Sequence, residues 1–142
     1  MNHGINAEPL VFRQLALPSD VNSIHTVEKL VEEVRAELEF KDDVFANVMV
    51  AVTEAVNNSI MHGNQQDQTK KVYVEIETVG SYRLMIRIHD EGPGFNPVSL
   101  PDPTAPENIG KPGGRGVFLM GQLSDKLTIS DDGKMTEMMF NI

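Results

Sequence analysis

The chain has 142 residues, 40% of them hydrophobic and 23% charged, which are the proportions of one compact soluble domain. Its formal net charge of −9 argues against direct binding to nucleic acid or acidic membranes, because phosphate contacts need clustered Lys and Arg. The absence of cysteine excludes disulfides and thiolate metal sites, and a cytoplasmic location is expected. No signal peptide is recognisable at the N-terminus, and the least charged stretch, residues 46–53, is too short to cross a bilayer.

The first predicted elements are a strand and an amphipathic helix. Residues 10–17 form the strand, which Pro18 stops, and Ser19 and Asp20 are candidates for the N-cap of the helix. The helix has a stripe of apolar side chains at helical spacing, with charged residues between them. The stripe consists of Val21, Ile24, Val27, Leu30, Val31, Val34 and Leu38.

A second helix and a hairpin follow. The helix is capped by Asp42 and Asp43 and is predicted to end at Gly63. Residues 71–78 alternate between apolar and polar side chains, as a half-buried strand does. Residues 82–90 form the partner strand after a tight Gly-Ser turn, which completes the hairpin.

The last third of the chain begins with a long irregular segment. Residues 91–116 are rich in Pro and Gly and are longer than a usual connection, which indicates a functional lid or a linker. A short helix over residues 117–125 precedes a final hairpin of strands 126–130 and 135–141. Strands and helices mix without a βαβ rhythm. The predicted fold class is therefore an α/β (α+β) two-layer sandwich, with a mixed, mainly antiparallel sheet and helices on one face.

The second helix carries an unusual polar pair. Glu54 is the only charged side chain between residues 44 and 61, and it lies nearly opposite the apolar stripe. Asn58 follows four residues later, so the two side chains are neighbours. A carboxylate beside a carboxamide can provide a proton acceptor and an oxygen ligand for Mg²⁺, which often binds through one or two protein groups and substrate phosphates. The alternative is a solvated acid and an ordinary helix-end asparagine.

The sequence Asp90-Glu91-Gly92-Pro93-Gly94 directly follows a predicted strand. Asp90 at the strand end can accept a hydrogen bond from an exocyclic amine such as that of adenine. Gly92 and Gly94 allow a sharp turn and the close approach of a flat ligand. The alternative is an Asx turn, which is common at strand ends.

A glycine-rich run opens the last helix. Gly113, Gly114 and Gly116 surround Arg115, and backbone N–H groups at such a helix start can cradle phosphate, with Arg115 adding a fixed cation. The alternative is a flexible loop with a glycine helix start. The chain has no GxxxxGK[ST] and no GxGxxG after its first strand, so neither a P-loop nor a Rossmann site is indicated.

Three motifs occur in order: E-A-x-x-N-S-x-x-H-G on a helix, D-x-G-x-G-F after a strand, and G-G-R-G before a helix. As a set they resemble the ATP-binding domain of the GHKL superfamily, which has the Bergerat or histidine-kinase-like fold. The resemblance is closest to the small stand-alone anti-sigma factor serine/threonine kinases of bacteria. It implies a single ATPase domain over residues 1–142, with a lid at about 92–114.

The resemblance also implies roles for single residues. Glu54 is similar to the family's general base, and Asn58 to the Mg²⁺ ligand that couples the metal to the triphosphate. Asp90 is similar to the adenine-reading aspartate, with Gly92 and Gly94 shaping its pocket. The phosphate-loop glycines of the lid would be Gly113, Gly114 and Gly116.

Two further positions have open alternatives. Thr136 matches a threonine that supports the adenine end of the nucleotide in this family, or it is an ordinary strand threonine. Some anti-sigma kinases have an arginine in the lid a few residues before the glycines. Here Lys111 and Pro112 occupy that place, and the arginine lies within the glycine run as Arg115, so its catalytic part in transfer stays open.

The function implied is that of a partner switch in transcription regulation. With ATP and Mg²⁺ as cofactors, the domain would phosphorylate a serine or threonine of a STAS-type anti-sigma antagonist and, as a homodimer, sequester a sigma factor. The competing hypothesis is a non-catalytic, nucleotide-gated binding module in a switch other than sigma control. A third hypothesis, a purely structural interaction domain, predicts no affinity for ATP. A histidine-kinase core is not expected, since His25 lacks the sequence context of a phosphoacceptor.

Overall fold

The computed structural model describes residues 10–93, 114–130 and 133–142. Within these ranges the chain forms five strands and three α-helices. In chain order they are β1 Phe12–Pro18, α1 Ser23–Leu38, α2 Asp42–Asn58, β2 Lys71–Val79, β3 Arg83–Asp90, α3 Gly114–Leu123, β4 Lys126–Ser130 and β5 Met135–Asn141. The predicted elements are therefore present in the predicted order.

The five strands form one sheet in the order β1-β2-β3-β5-β4, and every neighbouring pair is antiparallel. Alternate residues of each strand point to the same face, so the registers Val74↔Ile88 and Leu84↔Phe140 place buried side chains together. These side chains join those of α1 and α2 in a single hydrophobic core. The predicted two-layer α/β sandwich is thus confirmed.

The core positions explain why the two long helices pack as they do. In α1, Val27, Leu30, Val31 and Val34 are buried and recur at helical spacing, as predicted from the sequence. In α2 the N-cap residue is Lys41 and no side chain caps it, so the predicted cap by Asp42 and Asp43 is wrong. Both acidic residues lie in the first turn, where negative charge is favourable for the helix dipole.

The segment Asp42–Gly63, 22 residues long, is apolar enough to cross a membrane by length and composition alone. That is weak evidence, because the core helix of a soluble protein passes the same test. Here Val48, Val52 and Val56 are fully buried in the core formed with the sheet. We therefore describe α2 as a core helix.

The start of α1 differs from the sequence prediction. The helix begins at Ser23, and no side chain caps it. Asp20 instead accepts a hydrogen bond from the backbone N–H of Asn22 at 2.8 Å, and Ser19 donates to the carbonyl of Lys70 at 2.6 Å. The predicted cap is wrong because these side chains are engaged in a local turn and in a contact with a distant segment.

The end of α2 also departs from a regular helix. Residues Ser59–Gly63 form a π-helical turn, in which the N–H of Asn64 donates to the carbonyl of Ser59 at 2.7 Å. Gly63 is the last helical residue, as predicted. Such π-helical turns are frequent at functional sites.

Candidate functional site

The polar pair of α2 lies next to the start of α3. Glu54 and Asn58 are both half-buried, one helical turn apart on α2. Gly116, in the first turn of α3, is buried so close to Asn58 that a Cβ added to it would lie 2.5 Å from the Asn58 Nδ2 atom. The structure therefore brings the E-A-x-x-N motif and the last glycine of the G-G-R-G motif together, as a single site requires.

Asp90 ends β3 and is only 5% exposed. Its Oδ1 atom accepts the N–H of Gly92 at 2.9 Å, and the hydroxyl of Ser59 also donates to its carboxylate. The backbone N–H of Asp90 donates to the carbonyl of Lys134 at 3.1 Å. Burial raises the pKa of Asp90 above its ordinary value, although the hydrogen bonds from Gly92 and Ser59 act in the opposite direction.

Two glycines allow the end of α2 to touch the Asp90 turn. A Cβ on Gly63 would lie 2.4 Å from the Oδ2 atom of Asp90, and a Cβ on Gly92 would lie 1.8 Å from the carbonyl oxygen of Gly63. Neither distance is compatible with a side chain. Gly92 was predicted to make room for a ligand, and in the structure a side chain there would first meet the backbone of the π-helical turn, at Gly63.

Thr136 is placed by its strand register. It is half-buried in β5, opposite Ile88 of β3. Paired residues in antiparallel strands point to the same face, and Asp90, two residues beyond Ile88, points to that face as well. Thr136 is therefore a diagonal neighbour of Asp90, and its support of an adenine ring stays a prediction.

Several predicted site residues cannot be assigned in this way. Gly94 and Gly113 lie outside the described residues, as does most of the predicted lid. Gly114 and Arg115 belong to the first turn of α3, but their side chains are not described. The catalytic role of Arg115 and the phosphate-binding role of the glycines stay predictions.

Sequence reasoning missed two contributors to the site. Ser59 donates to Asp90 across the interface between the π-helical turn and β3. Asn64 accepts the N–H of Glu91, the residue after Asp90. The available signal was position alone: both polar residues lie at the end of an apolar helix, where they are normally solvated.

The donor set at Asn58 suits a cation that keeps other ligands. In the described parts of the chain, no group of three or more His, Asp or Glu side chains could hold a metal ion by itself. A hard cation such as Mg²⁺ can bind through one or two protein oxygens and take the rest from phosphate and water. The carboxamide of Asn58, with the carboxylate of Glu54 one turn away, fits that mode.

An antiparallel two-layer sandwich whose core helix meets the end of a central strand is the architecture expected of a GHKL-type α/β domain. The comparison with protein families agrees: residues 17–140 match the model of the histidine kinase-like ATPase domain. The chain belongs to this family.

Curated relatives cover most of the chain. A serine-protein kinase RsbW of Bacillus mycoides is 26% identical over 134 residues, which are 89% of this chain and 81% of the relative. An anti-sigma F factor of Bacillus velezensis is 30% identical over 104 residues, which are 70% of this chain and 69% of that relative.

A solved structure has the same fold. The crystal structure of the RsbU and RsbW domains of a Mycobacterium tuberculosis protein superposes with a TM-score of 0.65 over 93% of this chain. The sequence identity is 18%, so the likeness concerns the fold alone. The chain spans about a third of that larger protein, 32% of its length.

Proposed function

We propose that the chain is an Mg-ATP-dependent serine/threonine protein kinase and anti-sigma factor of a partner switch. It would phosphorylate a STAS-type antagonist and sequester a sigma factor. The relatives named serine-protein kinase RsbW and anti-sigma F factor support a role of this kind. The observation that carries the proposal is the contact of Asn58 with Gly116, because it unites two of the three motifs beside Glu54.

The chemistry assigns a separate task to each side chain. Glu54 accepts the proton of the serine or threonine hydroxyl while the hydroxyl oxygen forms a bond to the γ-phosphorus. The bond between the γ-phosphorus and the β,γ-bridging oxygen breaks, which releases ADP. Asn58 supplies an oxygen ligand beside the triphosphate. Mg²⁺, when bound, neutralises charge on the phosphates. Most of the acceleration comes from positioning these groups.

The adenine end is proposed at the other end of the π-helical turn. Asp90 accepts a hydrogen bond from the exocyclic amine of adenine, and Thr136 on the same face of the sheet supports that end of the nucleotide. Because Asn58 is the last residue of α2 and Ser59 is the first residue of the π-helical turn that continues it, one continuous helical segment positions both the phosphate end and the base end of the site.

The same proposal covers the organisation of the protein. Residues 1–142 are one ATPase domain with a lid at about 92–114, and the active form is a cytoplasmic homodimer. Its partners are proteins, and neither a nucleic acid nor a membrane is bound directly.

Label transfer from ATP tests the proposal. Wild-type protein, Mg²⁺ and γ-labelled ATP are incubated with a STAS-type antagonist, and label on the antagonist serine or threonine is measured. Glu54→Ala and Asn58→Ala are expected to lower transfer at least ~100-fold, the usual scale for removing a base or a ligand. Asn57→Ala is the matched control on the same helix and is expected to keep transfer within about twofold.

The outcomes separate the hypotheses. ATP binding by the wild type without transfer to any antagonist would favour the nucleotide-gated module. Absence of ATP binding by the wild type would overturn the site. Full transfer by Glu54→Ala would show that another group accepts the proton.

A further inference from the structure

Asn64, the residue after the π-helical turn, uses all of its side-chain polar atoms inside the protein. It is 1% exposed. Its Nδ2 group donates to the Ser19 hydroxyl oxygen at 2.8 Å and to the carbonyl of Lys71 at 2.9 Å. Its Oδ1 atom accepts the backbone N–H of Glu91 at 2.9 Å. A carboxamide is the smallest side chain that both donates and accepts in this way.

These three bonds join segments that are distant in the sequence. Ser19 belongs to the connection between β1 and α1, Lys71 starts β2, and Glu91 follows the last residue of β3. The backbone N–H of Asn64 is itself fixed by the carbonyl of Ser59. Asn64 thus holds the end of α2 against the ends of three strands.

The bond to Glu91 bears directly on Asp90. The N–H of Glu91 belongs to the peptide group that follows the Asp90 Cα atom, so holding that N–H restricts the backbone from which the carboxylate projects. On its other side the carboxylate lies against Gly63, the residue before Asn64. Asn64 and Gly63 together therefore fix both the backbone and the side chain of Asp90.

We infer that Asn64 is the positioning residue that aims Asp90 at the exocyclic amine of the nucleotide base, and so determines the preference for adenine. This inference rests on the proposed function. Asn64 need not touch the nucleotide: it acts through the Glu91 N–H. Loss of its Oδ1 atom would leave that N–H without its partner and free the Asp90 turn to reorient.

The test compares two nucleotides that differ only in the group that Asp90 would read. Binding of Mg-ATP and of Mg-purine riboside triphosphate, which lacks the 6-amino group, is measured by calorimetry. Wild-type protein is expected to prefer ATP at least ~10-fold, the scale of a hydrogen bond to a charged group. In Asn64→Ala this preference is expected to fall below about threefold.

Ser19→Ala is the matched control, because it removes another partner of the same carboxamide and leaves the Glu91 bond in place. It is expected to lower the melting temperature and to keep the ATP preference. Asn64→Asp is the second variant, should Asn64→Ala not fold. It retains an oxygen acceptor for the Glu91 N–H but loses both donor bonds, so it is expected to be less stable and to keep the preference.

The results distinguish the two proposals. Folded Asn64→Ala with the wild-type preference, or Asn64→Asp without any preference, would overturn the positioning role and leave the nucleotide site intact. Wild-type protein that binds neither nucleotide, or binds both equally, would overturn the assignment of Asp90 as the base-reading residue, and the inference with it.

Discussion

Asp90 is a costly residue to bury. A carboxylate removed from water loses hydration, and the N–H of Gly92 and the hydroxyl of Ser59 replace only part of it. Its raised pKa expresses that cost. A perturbed, buried acid at the end of a central strand is better explained by a ligand than by stability, because a neutral side chain would satisfy the same two donors more cheaply.

Replacing Asp90 by Asn is therefore expected to stabilise the protein and to impair the site. The pKa of Asp90 is higher in the folded state, so the native protein binds this proton more tightly. Stability is consequently lost as pH rises from about 3.9 through the folded pKa, and then stays level. We expect the melting temperature of Asp90→Asn, measured from pH 3.5 to 8, to rise relative to that of the wild type as pH increases. The affinity of this variant for ATP is expected to be at least ~10-fold lower.

Glu91→Gln controls for the removal of one negative charge. Glu91 is the exposed neighbour of Asp90, and its carboxylate accepts the N–H of Lys71. This variant is expected to follow the pH dependence of the wild type. A melting temperature of Asp90→Asn below that of the wild type at pH 8 would contradict the expectation that the buried carboxylate destabilises the protein.

The contact between α2 and α3 is possible because position 116 is a glycine, which has no side chain. Gly116→Ala would bring a Cβ to 2.5 Å from Asn58 Nδ2, so either the carboxamide turns away or α3 shifts. We expect a loss of about 1–2 kcal/mol in the free energy of unfolding, as for other overpacked contacts. We also expect at least a ~10-fold loss of phosphoryl transfer, because the group that is displaced is the proposed metal ligand.

Gly121→Ala is the control on the same helix. A Cβ there would lie 3.7 Å from Leu127 Cδ2, an ordinary contact, and alanine favours the helix by about 0.5–1 kcal/mol. This variant should be slightly more stable and fully active. Urea unfolding measures the free energy of unfolding, and the transfer assay measures activity. An equal loss of activity in Gly116→Ala and Gly121→Ala would show that the contact of Gly116 with Asn58 is not required for transfer.

Local pattern was sufficient for the elements whose burial is periodic. The buried positions Val27, Leu30 and Val34 in α1 follow the predicted stripe, and β4 and β5 have the predicted bounds. The π-helical turn at Ser59–Gly63 was not predicted, since its wider hydrogen bonding depends on how the end of α2 meets β3. The predicted cap by Asp20 is wrong for a similar reason, because its side chain accepts the N–H of Asn22 in a local turn before the helix.

The candidate site was predictable as far as its motifs are local. Glu54 and Asn58 are neighbours by helical geometry, and Asp90 was expected at a strand end. The importance of Asn64 could not be read from the sequence, because its partner Glu91 is 27 residues away and the contact exists only after the sheet has formed.

The sheet side that carries no core residues has a row of charged side chains across its middle. Arg87 of β3 binds Glu137 of β5 at 2.7 Å and Glu77 of β2 at 2.8 Å, with Glu75 at 3.7 Å. Gln14 of β1 donates to Glu75 at 2.7 Å. The row connects four strands, and the carboxylate of Glu77 is the main cause of a raised pKa of Arg87. The surrounding carboxylates therefore favour the charged form of Arg87.

A single guanidinium among three carboxylates matters more in a molecule with a net charge of −9. Arg87→Gln would leave the like charges of Glu75, Glu77 and Glu137 facing one another across β2, β3 and β5. We expect a loss of about 1–2 kcal/mol in low salt that shrinks in 1 M NaCl, where the Debye length is about 3 Å. Arg83→Gln, at the exposed start of the same strand, removes the same charge and should cost under about 0.5 kcal/mol. Urea unfolding measures the free energy of unfolding of both variants. Equal losses that do not depend on salt would mean that the change in net charge, and not the row of charged side chains, causes the destabilisation.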